Sequence, residues 1–214
     1  MDMLIGYSLY GISLLTVGGI YAILALGLNI QWGYAGLFNA GIAGFAAVGA
    51  YTFALLSTAP NPYHYGGLGL PLPFAILAAM ILSGCIAFLI GLVCIRLRSD
   101  YLAIATLGIA EIIVAMMKNE DWLARGVKNV TGIPRPVPYE VSLQNNAGFN
   151  ASAQSLGLDP VVASSLYVKL SYSILFAVVL LVLLWLAQRA LKSPWGRMMR
   201  AIRDNEVAAE AMGK

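Results

Sequence analysis

Charged side chains are scarce in this chain of 214 residues. Asp, Glu, Lys and Arg make up 11% of the sequence, whereas a soluble domain carries about 25%. Residues 3–95 include none of the four, which is an uncharged run of 93 positions. So little charge cannot cover a surface that faces water. The composition therefore excludes a soluble enzyme, a nucleic-acid-binding domain and a disordered protein.

Reactive and metal-binding side chains are also few. The chain has one histidine, His64, and two cysteines, Cys85 and Cys94. Positions nine apart lie on opposite faces of one helix, so the cysteines cannot pair with each other, and their spacing fits no metal site. The sequence contains no catalytic constellation and no nucleotide-binding loop. If ATP drives this protein, another chain must bind it.

The chain is rich instead in long apolar segments, since 60% of its residues are hydrophobic. A helix needs about 20 apolar residues to cross the hydrocarbon of a bilayer. Five such segments are predicted, at residues 4–28, 40–56, 73–95, 101–117 and 170–190. The predicted fold class is an all-α, polytopic integral membrane protein with about five transmembrane or membrane-embedded helices.

Basic residues predict the orientation in the membrane. Arg96 and Arg98 separate the third and fourth segments, and a second basic group follows the fifth: Arg189, Lys192, Arg197, Arg200 and Arg203. Two crossings lie between the groups, so both are on one side, which the positive-inside rule makes the cytoplasm. The N-terminus is then external and the Lys214 end cytoplasmic.

The same counting places residues 119–168 outside the cytoplasm, together with a turn-rich connection at residues 57–72. The long stretch is either a surface loop or a docking surface for an external partner. Its proline-rich part, residues 132–138, favours extended geometry. A short helix is expected near residues 163–168.

Residues 29–39 connect the first two segments and contain amides and aromatics but no Lys or Arg. This composition predicts a broken helix or a segment that dips into the membrane, where freed backbone groups can build a substrate site. A tight turn with interfacial Trp32 and Tyr34 is the alternative. Small residues spaced by four in the second segment predict close helix packing.

Glu111 is the acidic residue well inside a predicted crossing. A charge there costs roughly 2.5–3.5 kcal/mol, so the side chain must face a partner or a cavity, or be protonated. It either makes a hydrogen bond between helices or lines a pathway. Thr106 lies five positions earlier and therefore on a different face of the helix.

The C-terminal tail carries helix signals. Ser193 and Pro194 are a favourable start, Asp204 is a second candidate cap, and a short helix is predicted over residues 205–212, with Gly213 as its stop. Its alanines leave a slim surface that fits a groove. A solvated helix at the membrane surface is the alternative.

Three stretches together, residues 25–51, 96–113 and 196–213, resemble the permease subunits of Liv-type ABC importers, which carry branched-chain and other neutral amino acids. The second stretch resembles the M-type of the two permeases. The third is similar to the loop that engages the ATPases, with Ala208 and Ala209 followed after three residues by Gly213. Val207 stands where the general pattern has Glu, and Glu206 lies one step earlier.

The resemblance implies a bacterial plasma (inner) membrane complex. Its other members would be an H-type permease, two ATPase subunits that bind ATP and Mg, and an extracytoplasmic amino-acid-binding protein. It also implies that the chain is one permease domain with its coupling loop at residues 191–214 and no cofactor of its own. Coupling residues would be Arg200, Arg203, Asn205, Glu206, Ala208, Ala209, Glu210 and Gly213. Substrate-path candidates are Asn29, Gln31, Tyr34, Asn39, Thr106 and Glu111.

Three other functions remain open at this stage. Permeases for urea and short amides belong to the same family. A carrier driven by an ion gradient would use Glu111 as its proton or cation site, although such a carrier needs no ATPase dock. A non-transporting remnant is the third, because the family's chains continue with further membrane helices after the loop that ends here at Lys214. The resemblance therefore predicts that the C-terminal helices are lacking.

Overall fold

The computed structural model describes residues 2–60, 67–94, 96–97, 99–120, 130–155 and 157–211. All regular secondary structure in these ranges is helical. The chain divides into two compact units, one formed by Met1–Ile30 with Arg135–Lys214 and the other by Gln31–Pro134.

The first unit is built on two long helices that lie against each other, α1 (Asp2–Asn29) and α7 (Pro160–Lys192). Their contact contains hydroxyl groups. The Oγ1 of Thr16 lies 2.7 Å from the Oγ of Ser173, which also donates to the carbonyl oxygen of Ile12 at 3.1 Å. Lipid is as apolar as the side chains themselves, so close packing and such hydrogen bonds hold two helices together in a membrane.

Two short helices, α5 (Glu140–Gln144) and α6 (Ala147–Ser155), pack on the first turns of α7. The side-chain amide of Gln144 donates to the Oγ of Ser164 at 2.9 Å, and the rings of Phe149 and Tyr167 meet edge to face with centroids 6.0 Å apart. Ser164 is fully buried in this contact. Part of the stretch predicted to be extracytoplasmic is therefore folded.

Residues 163–168 are helical as predicted, but they do not form a short helix of their own, because they belong to α7. That helix begins at Pro160, ten positions before the predicted segment. The carboxylate of Asp159 accepts a hydrogen bond from the backbone N–H of Val161 at 2.9 Å and caps the helix. The cap and the proline at the first position favour a helix start at Pro160, so α7 includes polar residues that were left out of the predicted apolar segment.

The second unit contains α2 (Ile42–Ser57), α3 (Leu72–Cys94) and α4 (Ser99–Asn119). Helix α2 packs against both of the others. The hydroxyl of Ser83 donates to the carbonyl oxygen of Phe45 at 2.9 Å and joins α3 to α2. Cys85 is exposed, Cys94 is buried and both are free thiols, as the spacing predicts.

The segment that leads from α2 to α3 contains glycines in the left-handed backbone region. Gly67 has φ +79°, and a Cβ there would overlap the carbonyl oxygen of Ala59, so only glycine fits. The N–H of Gly67 donates to the carbonyl oxygen of Leu55 at 2.5 Å, and Leu70 donates to Leu56 at 3.0 Å. The carbonyls that the end of a helix leaves without partners are thereby satisfied.

Four stretches of the described chain are helical, long and apolar enough to cross a membrane: Ile5–Tyr34, Leu72–Cys94, Asp100–Asn119 and Pro160–Lys192. Helix α2 is apolar but has 16 residues, so at 1.5 Å per residue it is about 24 Å long, against a hydrocarbon core of about 30 Å. The predicted class, an all-α polytopic membrane protein, is confirmed. All five apolar segments form helices, one of them too short for a full crossing.

Candidate functional site

The first two apolar segments are joined by a short irregular connection, which both the predicted break and the alternative tight turn allow. A π-helical turn, Ile30–Tyr34, follows α1, and regular helix has ended by Gly36, whose φ of +73° is left-handed. The N–H of Gly36 donates to the carbonyl oxygen of Trp32 at 3.1 Å, which is a common way to close a helix. Residues 36–39 have no regular structure before α2 begins. Whether this irregular backbone faces a cavity stays a prediction.

Side chains satisfy the backbone donors at the start of α2. The Oδ1 of Asn39 accepts from the N–H of Gly41 at 2.9 Å, and the Oγ1 of Thr106 on α4 accepts from the N–H of Ala40 at 3.1 Å. Thr106 also donates to the carbonyl oxygen of Ala103 at 3.0 Å and is 5% exposed. Two path candidates, Asn39 and Thr106, therefore meet at one helix junction, where both make structural hydrogen bonds.

At this junction α2 touches the backbone of α4. A Cβ on Gly41 would overlap the carbonyl oxygen of Thr106, and one on Gly44 would lie 2.8 Å from both the Cα and the Cβ of Ala110. Side-chain carbon atoms do not approach so closely, so the contact requires glycine at both positions. The predicted close packing of small residues is confirmed at Gly44, whereas Ala50, which belongs to a second row of small residues with Ala46 and Ala54, is exposed.

Glu111 lies apart from that junction. Its side chain is on the exposed face of α4, along with that of Ile104, which is 71% exposed. Glu111 forms no hydrogen bond or ion pair with any residue that the structure describes. The predicted difference in face between Glu111 and buried Thr106 is confirmed.

The other path candidates are dispersed. Gln31 is exposed and Tyr34 is half-buried in the π-helical turn, which is in the second unit. Asn29 is exposed at the end of α1 and belongs to the first unit. The structure therefore brings Asn39 to Thr106 and leaves the path role of all six residues a prediction.

A cavity of about 500 Å³ lies between α2, α3 and α4 and is lined mainly by aliphatic and methionine side chains. Its polar lining consists of Tyr51 and Thr52, and the hydroxyl of Thr52 is used internally because it donates to the carbonyl oxygen of Val48 at 2.7 Å. The volume falls within the range of small-molecule sites. The sequence did not indicate this cavity, because apolar side chains that line a cavity read like those that face lipid.

The C-terminal helices are α8 (Pro194–Asp204) and α9 (Glu206–Ala211). The predicted helix start at Ser193 and Pro194 is confirmed. The prediction that Asp204 caps the last helix is wrong, because Asp204 ends α8 and forms an ion pair with Arg203 at 2.7 Å. The cap is Asn205, which has extended backbone and accepts a hydrogen bond from the N–H of Ala208 at 3.0 Å.

Six of the eight predicted coupling residues lie on these two helices, and Asn205 lies between them. Ala208 and Glu210 are exposed on α9, whereas Ala209 is 5% exposed. Arg200 and Arg203 are exposed on α8, and Glu206 begins α9. Gly213 lies outside the described residues. An ATPase-coupling role for this set stays a prediction.

Comparison with known proteins gives a consistent result. A family model described as "Branched-chain amino acid transport system / permease component" matches residues 10–214. Among curated relatives is the high-affinity branched-chain amino acid transport system permease protein LivM of Escherichia coli strain K12. It is 36% identical over 208 residues, which are 94% of this chain and 46% of the relative.

Two further relatives carry related names. LivM of Salmonella typhimurium strain LT2 is 35% identical over 212 residues, covering 94% of this chain and 46% of the relative. A probable branched-chain amino acid transport permease protein LivM of Methanocaldococcus jannaschii is 26% identical over 228 residues, covering 92% and 57%. The chain thus spans about half the length of the curated relatives it matches. No solved structure matches it significantly.

Proposed function

The chain belongs to the family of permease components of branched-chain amino acid transport systems, and on this premise we propose that it acts as a transmembrane permease subunit of an ATP-driven importer. The cargo is a branched-chain or other neutral amino acid, and the location is the bacterial inner membrane. The family match over residues 10–214 carries the proposal. The multi-pass helical fold supports it.

In this proposal the chain binds no nucleotide itself. ATP and Mg belong to two separate cytoplasmic ATPases, and an H-type permease completes the membrane part. Basic residues before α4 and around the end of α7 place the start of α4 and the end of α7 in the cytoplasm. The N-terminus and the segment that contains α5 and α6 are then external. The packing of α5 and α6 on α7 supports a surface on which an extracytoplasmic amino-acid-binding protein docks.

The ATPase contact is assigned to α9 and the arginines that precede it. Ala208 and Glu210 are exposed on α9 and available to a partner, while buried Ala209 holds the helix in place. Small side chains on a helix allow a groove of the ATPase to approach closely. Arg200, Arg203, Asn205 and Gly213 complete the proposed contact.

The test enlarges the exposed face of α9 without touching its buried face. Ala208→Trp should abolish co-purification of the ATPase subunits and ATP-dependent uptake of labelled leucine, because an indole blocks the groove. Membrane insertion should be unchanged. Ala151→Trp is the matched control for ATPase co-purification alone, since Ala151 is also an exposed helix alanine but lies on α6, in the segment proposed to be external. Normal ATPase recovery with Ala208→Trp would refute the coupling assignment.

The cargo is assigned from the family match, and the aliphatic and methionine side chains that line the cavity of the second unit would make good contacts with a branched aliphatic side chain. The charged amino and carboxylate groups of such a cargo need polar partners elsewhere on the path. Asn29, Gln31, Tyr34, Asn39, Thr106 and Glu111 remain the proposed polar lining of the path. Cells with and without this locus should differ in uptake of labelled leucine rather than urea. Uptake abolished by an uncoupler while ATP is present would instead support an ion-driven carrier.

A further inference from the structure

Helix α8 is amphipathic. At 100° per residue its large apolar side chains fall within an arc of about 100°: Trp195, Met198, Met199 and Ile202. Arg197, Arg200 and Asp204 lie on the opposite side, and Arg203 lies at the border. Trp195 is 48% exposed, and the other three apolar side chains are partly exposed. Helices with a basic polar face and an apolar face of Trp, Met or Leu type lie in the interface of a bilayer.

The connection to α7 holds the start of α8 near the membrane. One residue, Ser193, separates the two helices. Gly196 is buried, and a Cβ there would overlap the carbonyl oxygen of Leu191 in the last turn of α7. The first turn of α8 is therefore pressed against the end of a helix long and apolar enough to span a bilayer. Helix α8 therefore begins at the membrane surface where that span ends.

The residues around this corner have the composition of a membrane interface. The guanidinium of Arg189 lies over the ring of Trp185, 5.6 Å from its centroid, and Lys192 ends α7. Tryptophan and basic side chains concentrate where a span meets the headgroups. Five basic residues fall within residues 189–203, and α8 has one acidic residue, Asp204, which pairs with Arg203. The charge of this surface is complementary to acidic phospholipids.

We propose that α8 is an interfacial helix that lies in the headgroup layer, with its apolar face toward the acyl chains and its basic residues bound to acidic phospholipids. The lipid-binding residues are Arg197 on α8 and Lys192 at the end of α7, whereas Arg203 pairs with Asp204. This goes beyond the proposed transport function and holds whether or not an ATPase binds α9. The bilayer is the favoured partner over a protein, because the helix starts where a candidate membrane span ends and combines an apolar face with basic residues.

The first test measures which face of α8 enters the lipid. The full chain, with Cys85 and Cys94 replaced by alanine, carries one spin label, either at Ile202→Cys or at Ala201→Cys. These neighbours are about 1.5 Å apart along the helix axis and about 100° apart around it, and Ala201 is exposed outside the apolar arc. In phosphatidylglycerol vesicles, Ile202→Cys should be relaxed more by oxygen, and Ala201→Cys more by an aqueous nickel reagent. Equal exposure of both labels to nickel would overturn the proposal.

The second test measures the charge contribution. Each basic residue near an anionic surface strengthens attachment about five-fold. Part of the labelled chains will have α8 in the lipid, and part will have it in water. The double variant Lys192→Gln, Arg197→Gln should therefore lower the ratio of the first population to the second, measured with the label at Ile202→Cys in phosphatidylglycerol, by an order of magnitude or more. The labelled chain that keeps Lys192 and Arg197 should show a similar fall in this ratio in phosphatidylcholine vesicles. It should also show it at high salt, which screens surface charge. No dependence on lipid or salt, or burial of the label that appears only after purified ATPase is added, would refute lipid binding.

Discussion

Replacing Gly44 by alanine tests the contact between α2 and α4. The new Cβ would lie 2.8 Å from the Cα and the Cβ of Ala110, so one helix backbone has to shift. Overpacking of this kind costs about 1–3 kcal/mol. Alanine also gains helix propensity over glycine, by up to about 1 kcal/mol, which would mask part of the cost. A control that gains the same propensity without a contact is therefore needed.

Gly108→Ala supplies that control. Gly108 lies inside α4, and a Cβ there would meet nothing within 4 Å. The difference in free energy of unfolding between the variants isolates the contact. At about 2–4 °C per kcal/mol, Gly44→Ala should melt about 2–12 °C below Gly108→Ala. Thermal unfolding of the full chain in one detergent measures both. Equal melting temperatures would mean that α2 and α4 are not in backbone contact.

Two further substitutions separate structural from transport roles among the path candidates. Thr106→Val removes the acceptor of the Ala40 N–H, and a buried donor without a partner costs about 1–3 kcal/mol; the melting temperature should fall, while Thr106→Ser should melt like the wild type, and equal melting of the two would contradict the hydrogen bond. Glu111→Gln should change leucine uptake without lowering the melting temperature, because no bond within the described chain is lost. Unchanged uptake with lower melting would contradict a path role.

The positions of the helices could be predicted because each apolar run is long and ends at polar residues. The ends were less certain where polar residues continue a helix. The apolar run of α7 begins after Lys169, but the helix begins at Pro160 because Asp159 caps it and α5 and α6 cover its first turns. Capping and contacts with other helices decide where such a helix begins. A hydropathy pattern gives no information about either.

The sequence predicted that α2 packs closely against a neighbouring helix, but it did not identify the residues of that neighbour. Gly44 belongs to a row of small residues, which indicates a close neighbour, but no feature of the row identifies that neighbour as Ala110. Likewise Asn205 and Asp204 are both good caps by residue type. The backbone decides between them, since Asn205 is extended between two helices whereas Asp204 still belongs to α8.

Thr106 and Glu111 show why polar residues in membrane helices cannot be assigned from sequence alone. Both are polar groups on α4, and both were candidates for the path. The hydroxyl of Thr106 donates one hydrogen bond and accepts another inside the unit, so it already meets the needs of a buried polar group. The carboxylate of Glu111 has no such partner in the described chain and lies on an exposed face. Because hydrocarbon penalises such a group by about 2.5–3.5 kcal/mol, a group outside the described residues, water or a proton must compensate for it, and both a hydrogen bond between helices and a place on the path meet that need.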